Sequence, residues 1–240
     1  VEIGDHPQRN KIPKFAMLTA QVSGFFRIFV AVAMPRNGSW LHIIIYVYYS
    51  QHHNPLRSKS GAMNQESMEE IVRQDLQRYL TAMGEVDERL PECPDVEELW
   101  EKIGRSYMAD GIREFAAYPT ASLGWMMYIG MAVAKLWDTE WDTYSKVDDI
   151  YVCLRDKRGY DSMDEYIREE VLGLNGEDYT ALEKLVGECA SRVYNALMHR
   201  RHEPGTPEAF HSYVACIHQL YLMGAAVQLR RMGYHMTPLG

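Results

Sequence analysis

The groups best suited to chemistry in this 240-residue chain are nine histidines and 33 carboxylates, and their spacing decides what they could do. His211 and His218 lie seven residues apart on one helical pattern, hence on one face. Seven residues rise about 10.5 Å along a helix. Zinc needs each nitrogen at about 2.0–2.1 Å, so the pair alone cannot chelate one ion. They read as histidines at the edge of a core. Glu208 and His211 reproduce the Glu-x-x-His half-motif of di-iron bundles, but a second copy is missing, and Glu208 suits a first helical turn in any case. His199 and His202 flank Arg200 and Arg201, whose charges oppose a cation; basic residues there suit the negative end of a helix. Asp138, Glu140, Asp142 and Asp149 imitate positions 1, 3, 5 and 12 of a calcium loop, yet Thr143 stands where the turn needs glycine. That segment reads as a solvated acidic loop.

Nucleophilic chemistry has no foothold: no GxSxG elbow, Walker loop or dinucleotide fingerprint occurs. Cys93, Cys153, Cys189 and Cys216 are widely spaced, with no CxxC pair, and three of them sit in apolar helical patterns. A reducing, cytoplasmic setting follows as the simpler expectation. The sequence calls for no cofactor and no metal, and no residue is assigned a catalytic role. Polar groups able to converge only after folding are Asp110, Glu114, Asp148, Asp149, His211 and His218, which form the candidate ligand-binding set.

Positioning such groups needs a core, and the composition allows one. The chain is 47% hydrophobic and 24% charged, within the ordinary globular range, and 16 tyrosines and five tryptophans give the core volume. Charge divides it. Residues 1–62 hold seven Lys/Arg against two Asp/Glu, net +5; residues 63–240 hold 18 against 31, net −13. An acidic domain is repelled by phosphate backbones, so nucleic acid is not an expected partner.

Residues 1–62 are an atypical extension, expected to be poorly structured. The apolar run 15–34 has the length of a transmembrane helix, but Gln21 and Arg27 lie within it, and one central arginine costs about 2.5–3.5 kcal/mol on insertion scales. A signal peptide is the second reading, with Arg9, Lys11 and Lys14 as the charged flank and Ala31-Val32-Ala33 as the cleavage site. The preferred reading is non-native text translated in frame, because the chain starts at Val1 while Met63 and Met68 precede a clean helical pattern. A membrane is thus not an expected partner.

From Met63 onward apolar residues recur every three or four positions. The pattern predicts helices at about 65–89, from Asp95 to Pro119, 120–137, 146–157, 162–172, 177–201 and 207–232, with Asp95 capping the second and Pro207 opening the last. The third is apolar on nearly every side and reads as the central helix, with Gly124, Gly130, Ala132 and Ala134 admitting close neighbours. The expected fold class is all-α, one orthogonal or up-down bundle of about six to seven helices, and no repeat suggests a solenoid. The function expected first is a protein-interaction or adaptor module, or a homo-oligomer, since tyrosine, tryptophan and methionine suit contact surfaces. The alternative is a small-molecule- or metal-dependent enzyme with its site between helices; a membrane-tethered form of either is the third option.

Overall fold

The computed structural model describes residues 67–235 in full and, upstream, the backbone of residues 16–22, 26–32 and 44–46. The backbone falls into two units, Val1–Met63 with Glu203–Pro207, and Asn64–His202 with Glu208–Gly240. In the first, β1 (Ala16–Val22), β2 (Phe26–Val32) and β3 (Ile44–Tyr46) pair in order as an antiparallel sheet, with Ala16 opposite Val32 and Val22 opposite Phe26. Two strands thus pair antiparallel within the apolar run, which corrects the transmembrane-helix alternative for 15–34. The expectations placed on residues 1–15, 23–25, 33–43 and 47–66 lie outside the described residues.

The second unit is all-α, and residues 67–235 contain no strand. Its helices are α1 (Met68–Ala82), α2 (Pro94–Glu114), α3 (Pro119–Thr139), α4 (Trp141–Tyr144), α5 (Ile150–Arg158), α6 (Met163–Tyr166), α7 (Gly176–His199) and α8 (Pro207–Arg231). Two of the eight, α4 and α6, are single turns of four residues, so six longer helices carry the bundle. No helix among the described residues is long and apolar enough to cross a membrane.

Helix boundaries follow from local chemistry. Ser67 caps α1 by accepting the Glu70 amide, at 3.2 Å. Its C-terminus comes seven residues before the expected one: Gly84 takes φ +75°, its amide bonds Thr81 O, and the Glu85 amide bonds Leu80 O. That pair of bonds is the Schellman closure, which overrides a continuing apolar period. Asp95 does not cap α2; Pro94 occupies the first turn after Cys93, and Asp95 favours the dipole from one position further in.

α3 is the axis. Thirteen of its residues are buried, and α2, α6 and α7 pack around it. Gly124 faces Val186 and Ala190 of α7, as its small size suggested. The closest approach is to α8: a β-carbon at Gly130 would overlap the Tyr221 carbonyl oxygen, and one at Gly224 would overlap the Met127 carbonyl oxygen. The two backbones are in mutual contact there, possible only where neither residue has a side chain.

A buried cation holds the other side of the axis. After α6 the chain makes a π-turn over Ile167–Val171, with the Leu172 amide bonded to Ile167 O at 2.8 Å. Arg168, only 4% exposed, lies over the Tyr179 ring at 4.2 Å and the Tyr128 ring at 5.2 Å. It donates to Asp164 Oδ2 at 2.6 Å and pairs with Glu183 at 3.2 Å, joining α3, α6 and α7.

Thermal or urea unfolding tests both features. Gly130→Ala is expected to destabilise by at least about 3 kcal/mol, because the obstacle is backbone. Gly187→Ala, on an open part of α7 with nothing within 4 Å, should instead stabilise by about 0.5–1 kcal/mol. Equal effects at the two positions would contradict the α3–α8 contact. Arg168→Ala is expected to cost about 3 kcal/mol, since it strands Asp164 beside two rings; a loss below about 1 kcal/mol would mean the cation contributes little.

Candidate functional site

The six candidate residues do not form one site: Asp110, Asp148 and Asp149 gather where α2 meets α5, and His211 and His218 stand elsewhere. Asp149 is the N-cap of α5: its Oδ1 accepts the Tyr151 amide at 2.9 Å and the Val152 amide at 3.4 Å, and its Oδ2 accepts the Ser106 hydroxyl from α2. One turn along α2, Asp110 Oδ2 accepts the Tyr151 hydroxyl at 2.7 Å and Arg155 Nη1 at 3.1 Å. Burial pushes the Tyr151 phenol far up, and the Asp110 carboxylate adds to the shift. Asp110 and Asp149 thus share one α2–α5 contact, where they tie a short helix to a long one.

Asp148 lies beside them but points outward, 94% exposed, with Lys102 Nζ 2.8 Å away; that ammonium holds its carboxyl below the ordinary value. Such a surface pair contributes little to stability. Glu114, half-buried near the end of α2, lies close enough to Tyr160 to raise its phenol, whose principal perturbation is burial. His211 is exposed and touches the Phe210 ring.

His218 is placed differently. It is 16% exposed, its ring stacks on Trp100 with centroids 4.6 Å apart, and it stands between carboxylates of two other helices. Nε2 is 2.8 Å from Glu97 Oε1 on α2, and Nδ1 is 3.9 Å from Glu69 Oε1 on α1. The imidazole holds the Glu97 carboxyl below its usual value, against the opposing effect of burial. His211, exposed beside Phe210, takes no part in this arrangement, in line with a spacing too long for one ion. No group of three or more His, Cys, Asp or Glu among the described residues could hold a metal ion.

The Glu97 side chain also lines an open groove of about 340 Å³ where α1, the Leu90–Cys93 connection, the start of α2 and the middle of α8 meet. Its floor is apolar, from Val96, Leu222, Met223 and Ala226. Pro91 and Pro94 on one wall have no backbone N–H to offer. Arg73 stands on the rim but is fastened to Glu70 by bonds of 2.7, 2.9 and 3.0 Å. The Cys93 thiol is pushed up by burial and by neighbouring Asp95, so it is a poor nucleophile here.

None of the residues lining the groove was among the six sequence candidates, and one of them stands out. Gln219 is 2% exposed; its Nε2 donates to Glu69 Oε1 at 3.2 Å, and its Oε1 has no hydrogen-bond partner. A glutamine inside the apolar body of α8 was the one signal of it in the sequence. With the geometry in place, comparison adds no relatives: no family model matches the chain, and neither a curated protein nor a solved structure shows significant similarity to it.

The Glu97–His218 contact makes a pH-dependent contribution whose sign is fixed. A carboxyl lowered on folding stabilises above its unfolded value, about 4.5, and the contribution disappears as pH falls through the lower folded value. Glu97 is half-exposed, so the effect stays below about 1 kcal/mol. Urea midpoints from pH 6 to 3 should show wild type losing ground to Glu97→Gln as the pH drops below about 4.5. Parallel curves would remove the coupling.

Proposed function

We propose that residues 67–235 are a protein-interaction module whose groove between α1, α2 and α8 receives a short segment of a partner protein. The observation that carries this reading is the groove itself, partly open to solvent, apolar at the base and bounded by polar groups. An open trough admits a chain that enters and leaves, whereas small-molecule sites bury most of their ligand. Support also comes from where the candidate ligand-binding groups sit. Asp110 and Asp149 are engaged in helix capping and inter-helix bonds, Asp148 pairs with a surface lysine, and His211 is isolated from them. That distribution favours the module over an enzyme with its site between helices.

The net charge of −13 on residues 63–240 makes a protein rather than a nucleic acid the natural partner. Cys93, Cys153, Cys189 and Cys216 are all free, in keeping with a reducing, cytoplasmic setting.

Peptides selected from a displayed library against the full chain provide the test. Binders are expected to lose at least about tenfold in affinity when Leu222→Glu places a charge on the groove floor. Binders indifferent to that substitution and to Leu90→Glu would place recognition elsewhere and end the proposal.

A further inference from the structure

The polar groups on the groove wall are unequal in kind. Gln219 Nε2 faces the Glu69 carboxylate, and only the N–H end of an amide can do so. The carbonyl end is therefore assigned by chemistry, and Oε1 stands buried without a donor. A buried acceptor left unmade is costly, so a wall that retains one is built to receive a donor. Glu97 adds a carboxylate on the same groove, held ionised by His218. Donors are scarce in return. Pro91 and Pro94 have no N–H, and Nε and Nη2 of the Arg73 guanidinium are taken by Glu70.

An acceptor-rich, donor-poor wall above an apolar floor calls for a ligand with several N–H groups, a positive charge and an aliphatic stem. Arginine has all three: its planar fork supplies five N–H donors, enough to serve a carboxylate and a carbonyl together, while its methylenes cover apolar surface. We infer that the groove recognises an arginine side chain in the partner segment, with the guanidinium at Gln219 Oε1 and Glu97 and the stem over Leu222 and Met223. The inference rests on the reading of the groove as a peptide site and gives that site its specificity. The partner is accordingly a basic, apolar segment, complementary to the acidic bundle that carries the groove.

The test uses four pools of fluorescent ten-residue peptides, mixed in sequence except for a central Arg, citrulline, Glu or Leu, with binding to the full chain followed by anisotropy. N-acetylarginine amide serves as the competitor. The Arg pool is expected to bind at least about tenfold more tightly than the citrulline pool, which keeps the shape and drops the charge, and more tightly still than the Glu pool. Its advantage should vanish in Glu97→Gln and in Gln219→Leu, while the Leu pool binds both variants unchanged. Glu97 is half-exposed, so Glu97→Gln remains informative if Gln219→Leu does not fold. Four results would overturn the inference. If all four pools bind alike and Leu222→Glu abolishes them, the peptide groove stands and arginine recognition falls. If an Arg preference survives both wall variants, the cation is read elsewhere. If N-acetylarginine amide binds as tightly as the Arg pool, the ligand is a small molecule and not a protein segment. If no pool binds, the arginine and the groove readings fall together.

Discussion

Two helices of this bundle touch through their backbones, and most of what is specific about the molecule follows from that contact. Gly130 of α3 and Gly224 of α8 each face a carbonyl of the other helix, Tyr221 and Met127, so neither position has room for one additional carbon. Such an approach fixes α8 along the axis of the bundle as well as around it, because sliding by a residue would drive a side chain into a main chain. The position of α8 sets what its neighbours meet. Tyr221, three residues before Gly224, reaches across to donate to Val96 O on α2 at 2.8 Å. His218 and Gln219, nearly one turn earlier, meet Trp100 and Glu97 of α2 and Glu69 of α1. The groove is the space left where α1 has ended at its glycine turn and two prolines delay α2, above the α8 segment pinned in this way.

Groups with catalytic potential serve architecture over much of the molecule. Asp149 holds the first amides of α5, and Asp110 anchors the tyrosine and arginine that follow on the same helix. Arg168 does the equivalent at the π-turn, sandwiched by tyrosines and flanked by carboxylates. The Asp149 and Asp110 arrangements meet their polar groups within the fold, whereas Arg168 keeps one buried nitrogen, Nη1, without a hydrogen-bond partner. Several buried polar atoms are left without a partner, among them the Tyr160 and Tyr213 hydroxyls; Gln219 Oε1 is the amide oxygen among them and belongs to a groove-lining residue.

Much of this architecture was legible in the residue pattern. The apolar period located every helix of nine residues or more, the unbroken apolar run marked α3 as the central element, and Pro207 marked the start of α8. The small residues of α3 announced close neighbours, but periodicity assigns a face without naming what it meets, so the partner of Gly130 was not readable. The end of α1 was missed because Val86 and Leu90 continue the period across a glycine turn, where backbone bonds decide and hydrophobicity does not. The pairing of 16–22 with 26–32 was not expected, because a run apolar at almost every position has no period to mark a strand and read as unpatterned text. His211 and His218 share a face of one helix but not their surroundings, since α8 is half-buried at His218 and solvated at His211, which periodicity does not reveal. Gln219 was passed over since a single polar residue in an apolar stripe is noticed only when its partners are known.

Native-state hydrogen exchange tests the α3–α8 lock most directly. Amides of Met127–Met131 and Tyr221–Ala225 should exchange only through global unfolding, with the same free energy and the same dependence on denaturant. Exchange of the α8 amides at distinctly lower free energy, independent of α3, would show that the last helix opens by itself and that the contact does not hold the bundle together.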